Sequence, residues 1–158
     1  MSFTNQKDND NYETDARGWE LIKEFIPKDK KIWSPFYCTG KQKDIFADMG
    51  FDIIHEDEDF FSNNKGDLIV DNLPFSLKKE VLKRCKELNK PFILIIPTCL
   101  LSLKWFQELF KNEIQMIIPT KRLTFTHYKT PKKGYTPPFG SFYYCYKMNL
   151  PKDIIWLD

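Results

Sequence analysis

Residues 92–96 read Phe-Ile-Leu-Ile-Ile. An unbroken apolar run of strand length offers no polar face to water, so the strand it forms is buried on both sides. Residues 67–71, Asp-Leu-Ile-Val-Asp, are nearly as apolar. Between the two lies a helical stripe of Leu77, Val81, Leu82, Cys85 and Leu88, with Ser76 placed to cap it and Pro91 to end it. A buried strand, an amphipathic helix and a second buried strand predict parallel strands covered by helices.

The same alternation extends along the chain. Residues 15–26 place Trp19, Ile22, Phe25 and Ile26 on one helical face, and Pro27 stops that helix. Residues 32–38 (IWSPFYC) read as a short strand running into a turn at Thr39-Gly40. Residues 41–49 read as a helix that Gly50 suits as C-terminal cap, and residues 51–55 (FDIIH) as a strand. Further on come a helix over 102–111, a strand over 114–118, a polar loop near 129–138 and an aromatic strand over 141–147. That last strand follows a loop and not a helix, so it is expected to insert antiparallel. Only 11 residues, 56–66, separate the second strand from the third apolar run. This is too few for a helix and another crossover strand, and a trimmed sheet is expected.

The chain has 158 residues, 42% of them hydrophobic, enough for one packed domain over 12–158. Residues 1–11 are polar and read as a flexible arm. No apolar run approaches 18 residues, so no membrane partner is expected. Four scattered cysteines, two histidines and no CxxC pair make a metal site unexpected. Reduced thiols suit a cytoplasmic location, the host cytoplasm or nucleus if the chain is viral.

Two loops carry the candidate chemistry. The first, SPFYCTGKQ from Ser34, has only Gly40 where a dinucleotide fingerprint needs three glycines, and it is no P-loop either. A cofactor without phosphates suits it better. Glu56 and Asp57 follow the second strand, where a carboxylate accepts from ribose hydroxyls, and Asp59-Phe60 offers an acceptor beside an aromatic wall. Ser34, Pro35, Phe36, Gly40, Glu56, Asp57, Asp59 and Phe60 are therefore the candidate cofactor residues, and their order favours S-adenosylmethionine. The alternative for 56–59 is a solvated acidic turn. The second loop is Asn72-Leu73-Pro74-Phe75, at the end of a buried strand, where open α/β sheets bind ligands. Its alternative is a plain strand-to-helix turn.

On these two loops the chain resembles the Rossmann-like S-adenosylmethionine-dependent methyltransferases of the adenine-N6 type, with small phage- and virus-type DNA adenine methyltransferases nearest. The family's first motif is an acid followed by Pro-Phe-x-Gly-x-Gly; Pro35, Phe36 and Gly40 match, while Ser34 replaces the acid and Cys38 the first glycine. The fourth motif, Asn/Asp-Pro-Pro-Tyr/Phe, matches at Asn72, Pro74 and Phe75 with Leu73 for the first proline, the form typical of ribosomal RNA adenine dimethyltransferases. The resemblance runs from about residue 14 to residue 147. It implies a mostly parallel Rossmann-like sheet with one antiparallel strand, helices on both faces and no third strand. It also implies that the segment 12–19 lines the cofactor site.

The implied reaction is methylation of an adenine N6 amine in nucleic acid, DNA favoured and RNA possible. Asn72 and a main-chain carbonyl of the Leu73-Pro74 corner would accept the amine's two N–H bonds, and Phe75 would stack on the base. Residues 121–133 hold Lys121, Arg122, Lys129, Lys132 and Lys133 without an acid and with aromatics between, a candidate nucleic-acid contact. On charge alone the same run is equally a solvated loop. There is no room for a separate target-recognition domain, so specificity falls to loops or to a partner protein. Two rival readings remain at this stage. One is a catalytically silent methyltransferase fold that binds nucleic acid or regulates a partner, to which Ser34 and Cys38 give weight; the other is methylation of a protein glutamine.

Overall fold

The computed structural model describes residues 12–127, 137 and 139–158. In chain order the elements are β1 (Tyr12–Thr14), α1 (Ala16–Glu20), β2 (Ile32–Trp33), α2 (Lys41–Asp48), β3 (Ile53–Ile54), β4 (Leu68–Asn72), α3 (Lys78–Leu88), β5 (Phe92–Pro97), α4 (Lys104–Phe110), β6 (Ile114–Ile118), β7 (Phe125–His127), β8 (Ser141–Tyr146) and β9 (Ile154–Trp156).

Seven strands form one sheet in the order β3-β2-β4-β5-β8-β6-β9. The run β3-β2-β4-β5 is parallel, β8 inserts antiparallel between β5 and β6, and β9 joins β6 in parallel. This is a Rossmann-like arrangement with one antiparallel strand, and between β3 and β4 the chain makes only a 3-10 turn at Phe60–Ser62. The family's usual third strand is thus absent, as the short spacer led us to expect.

Period-two alternation divides the core between the two faces. On one face Ile69, Phe92, Leu94, Ile96, Tyr144 and Tyr146 pack beneath α3 and α4. On the other Leu68, Val70, Ile93, Ile95, Tyr143 and Cys145 meet Trp19 of α1 and Phe46 of α2. Burying a side chain of the Val, Leu, Ile or Phe kind stabilises by roughly 1.5–3 kcal/mol, so these two faces hold the fold together.

Several expectations need correction. Ser76 does not cap α3. Pro74, with its fixed φ of −65°, opens a 3-10 turn over Phe75–Leu77 in which the Leu77 N–H reaches the Pro74 carbonyl, and Leu77 occupies the cap position. The helix read over 15–26 ends after five residues. Ile22 leaves the helical region (φ −109°, ψ 7°) and a 3-10 turn carries Ile22 and Ile26 against the core. The helix read over 102–111 begins at Lys104, after a 3-10 turn at Thr98–Ser102. Gly50 does close α2: with φ +88° it lets its own N–H reach the Ala47 carbonyl and the Phe51 N–H reach that of Phe46. The β1–β7 ribbon and β9 were not expected from the sequence. The arm 1–11 and most of the loop 129–138 fall outside the described residues.

Candidate functional site

The parallel strands β2, β3 and β4 end at one rim, and a buried carboxylate ties their ends together. Asp71, 1% exposed, is the last fully buried residue before Asn72. Its Oδ2 accepts from Ser34 Oγ (2.9 Å) and from the Phe36 backbone N–H (2.8 Å). Its Oδ1 accepts from Gln42 Nε2 (3.1 Å) and from the Asn72 N–H (2.7 Å). Gln42 also donates to Ser34 Oγ at 2.6 Å. Burial pushes the Asp71 carboxyl above its ordinary range, against the opposing effect of the bonds from Phe36, Gln42 and Asn72. The β2–α2 turn and the end of β4 are thereby held in one piece.

His55 extends this network. Its Nδ1 lies 2.7 Å from the Ser34 carbonyl. A carbonyl only accepts, so Nδ1 carries the proton and, in the neutral ring, Nε2 is a bare acceptor. Nε2 is buried and has no hydrogen-bond partner among the described residues. The Tyr37 ring stacks on the imidazole, centroids 5.0 Å apart. The same Tyr37 ring lies over Gly40, where a Cβ would collide with it; Gly40 also sits at φ +83°. Glu13 of β1 reaches this turn from the other side, 6% exposed and accepting from Thr39 Oγ1 at 2.6 Å.

The remaining candidate residues serve varied ends. Pro35 and Phe36 are buried, and Phe36 packs on Phe60, itself wedged between Trp33 and Phe61. Glu56 is exposed and pairs with Lys43 at 3.4 Å, and Asp57 is exposed. Asp59 starts the 3-10 turn, accepting from the Phe61 N–H and from Ser62 Oγ. Ser34, Phe36, Gly40 and Glu56 thus surround the rim, whereas Asp59 and Phe60 build the turn that replaces the third strand.

Around Asn72 the backbone is fixed and the side chain is not. The Leu73 N–H bonds to the Ile95 carbonyl at 3.1 Å, and Leu73 and Pro74 are buried. The Asn72 amide, half-buried, takes no protein partner among the described residues. Phe75 stacks on Phe139 (centroids 6.4 Å, 22° between planes), and Lys78 Nζ lies 4.2 Å above the Phe75 ring. Phe139 stands two residues before β8, which runs antiparallel to β5 and so begins at the same rim. It is 49% exposed. Lys121 and Arg122 are exposed, and Arg122 reaches the Pro137 carbonyl at 3.2 Å. Lys129, Lys132 and Lys133 lie outside the described residues. A separate cavity of about 390 Å³, lined by Glu20, Leu21, Lys23, Glu24, Ile26 and Lys28, involves none of these groups.

Sequence reasoning missed Asp71, Gln42, His55, Tyr37 and Phe139 as parts of the rim, whereas Glu13 falls in the segment 12–19 that the resemblance implied would line it. Asp71 carried a signal: an acid closing a buried strand demands donors, and Ser34 and Gln42 flank the turn one strand away. Phe139 carried none, because only the antiparallel β8 brings it there.

No family model matches the chain, and no curated protein matches it. Among solved structures, a protein of Listeria monocytogenes assigned as a class I S-adenosylmethionine-dependent methyltransferase is similar to the chain. The TM-score is 0.48 and the identity 12%, over 97% of this chain and 67% of that one. At that similarity the likeness carries nothing about substrate or residues.

Proposed function

We propose that the protein is an S-adenosylmethionine-dependent methyltransferase acting on the N6 amine of adenine in nucleic acid. The observation that carries the reading is Asn72: its backbone is pinned by a buried carboxylate while its side-chain amide takes no partner among the described residues.

The character of the rim groups suits the cofactor. They are mainly acceptors: the Glu13 carboxylate, the orphaned His55 Nε2, Glu56 and Asp57. S-adenosylmethionine presents an ammonium, a sulfonium, ribose hydroxyls and an exocyclic amine, and it has no phosphate. Gly40, without a Cβ at positive φ, lets the Tyr37 ring close down on the turn. Glu13, Gly40, His55 and Glu56 would hold the group, which when bound supplies an activated methyl.

The chain's own residues then position the nucleophile. An adenine amine is weakly nucleophilic because its lone pair is delocalised into the ring. Asn72 Oδ1 accepts one of its N–H bonds. The Pro74 carbonyl is already taken by the Leu77 N–H, so the Leu73 carbonyl is the corner group left to accept the other. Two acceptors draw the nitrogen toward tetrahedral geometry, and fixing them in advance is where the rate gain lies. Phe75, extended by Phe139, offers the base a stacking platform worth roughly 1–3 kcal/mol. A base inside a duplex is out of reach, so it is flipped out or supplied single-stranded. Lys121 and Arg122, both exposed, are suited to phosphate contact, and Lys129, Lys132 and Lys133 follow them in the sequence as further candidates.

The test is titration calorimetry with S-adenosylmethionine on wild type and on His55→Phe. Saturable binding by wild type, weakened in the variant, is expected. No binding at millimolar cofactor would favour the silent-subunit reading, for which Ser34 and Cys38 in place of the family's acid and glycine are the supporting residues.

A further inference from the structure

Resting on the cofactor reading proposed above, we infer that Tyr37 is the gate of that site. Its ring lies over His55 and shuts off an acceptor, Nε2, that a ribose hydroxyl of S-adenosylmethionine takes once the ring turns away. His55 follows β3 at the rim and is 1% exposed. Nδ1 is engaged by the Ser34 carbonyl at 2.7 Å, which leaves Nε2 as a buried acceptor with no donor among the described residues. A buried polar atom left in this way calls for a reason, and a bound hydroxyl supplies one.

The surroundings of the imidazole differ in freedom. The Ser34 carbonyl cannot move, because the Ser34 N–H bonds to the Ile54 carbonyl (2.9 Å) and Ser34 Oγ bonds to Asp71 (2.9 Å). The Tyr37 ring can. It is half-buried, and it stacks on His55 with centroids 5.0 Å apart and 26° between planes. Its other neighbour is the bare Cα of Gly40, where any Cβ would collide with it. Among the described residues its hydroxyl takes no hydrogen bond. The turn beneath is held by backbone alone, the Gly40 N–H on the Tyr37 carbonyl at 2.9 Å. Rotation about χ1 therefore lifts the ring and leaves the turn in place.

The donor fits what the lifted ring uncovers. The neutral imidazole is an acceptor at the end of the strand, and the exposed Glu56 carboxylate is the next residue. Two adjacent acceptors suit the two hydroxyls of one ribose. The closed ring lowers the apparent affinity by the fraction of molecules that are open. An aromatic stack of this kind biases that equilibrium by roughly 2- to 10-fold.

NMR of the full chain reads the gate in wild type. The nuclear Overhauser contact between the Tyr37 and His55 rings should be present without S-adenosylmethionine and vanish on saturation with it. Calorimetry with the same cofactor adds Tyr37→Ala, with circular dichroism to show that the variant folds. It should bind roughly 2- to 10-fold more tightly than wild type. A ring contact that survives saturation, or a folded Tyr37→Ala that binds no more tightly, would overturn the gate and leave the cofactor reading standing. Binding by neither protein would sink both.

Discussion

Asp71→Asn preserves the shape of the side chain and alters only what its two outer atoms can accept. The carboxylate takes Ser34 Oγ–H and Phe36 N–H on one oxygen, and Gln42 Nε2–H and Asn72 N–H on the other. A carboxamide has one acceptor oxygen. Turned one way, its NH2 meets the Phe36 N–H; turned the other, it meets the Asn72 N–H. Ser34 can rotate its hydroxyl and Gln42 can flip its amide, but a backbone N–H cannot turn. One buried N–H is left unsatisfied in either orientation, which costs about 1–3 kcal/mol. The surviving bonds pass from a charged acceptor to a neutral one and lose roughly 1 kcal/mol each. Relief from burying a charge returns part of this, leaving a net loss of about 2–4 kcal/mol. At roughly 2–4 °C per kcal/mol for a domain of this size, the melting temperature should fall by about 5–15 °C.

Urea unfolding followed by circular dichroism reads the effect directly. Its pH dependence gives a second check. Burial raises the Asp71 carboxyl above the unfolded value of 3.8, so the native state holds this proton more tightly than the unfolded chain. Wild-type stability from this group therefore increases as pH falls through the native pKa and stops increasing at 3.8. All other titrating groups are common to both proteins, so the gap between wild type and Asp71→Asn should widen on acidification. A variant within about 0.5 kcal/mol of wild type at neutral pH, or a gap that narrows in acid, would refute the network as described.

Two further changes probe the rim. Cys38 stands where the resembled family has glycine and adopts φ +51°, a left-handed conformation costing a side chain roughly 1–2 kcal/mol; the greater unfolded-state freedom of glycine offsets part of that. Cys38→Gly should therefore stabilise by about 0.5–1 kcal/mol, and a destabilised variant in the same urea assay would contradict this. Phe75→Ala and Phe139→Ala should each weaken binding of single-stranded, adenine-containing oligonucleotides by roughly 5- to 150-fold, the worth of one base stack. Fluorescence anisotropy measures it, and unchanged affinity in both would remove the stacking platform.

The parts of the fold that were legible in the sequence are those written in local pattern. The unbroken apolar runs at 68–70 and 92–96 and the stripe from Val81 to Leu88 lead to β4, α3 and β5, because a strand buried on both faces leaves no polar position. The missing third strand followed from counting a spacer. Three residues of β9 with two exposed apolar side chains carry no comparable pattern, and their strand character exists only because Ile114–Ile118 offers an edge. Tyr12–Thr14 and Phe125–His127 likewise become strands only by meeting each other. At the rim, Asn72, Pro74 and Phe75 could be picked out as a contiguous motif at a strand end. Asp71 with Ser34, Gln42 and His55 could not, since the four lie on different elements and become a unit only once β2, β3 and β4 are side by side. Phe60 shows the reverse: the sequence offers it as an aromatic wall, and the absence of a third strand draws it 1% exposed into the gap beside Trp33 and Phe36.

The most direct measurement is transfer of a labelled methyl group from S-adenosylmethionine to duplex DNA, single-stranded DNA, tRNA and rRNA by wild type and Asn72→Ala. Recovery of N6-methyladenine from at least one substrate is expected. The variant should keep cofactor affinity while losing more than ~100-fold in turnover, the effect of removing a transition-state acceptor. Methyl transfer by Asn72→Ala at the wild-type rate, or label recovered on any atom other than adenine N6, would contradict the assignment.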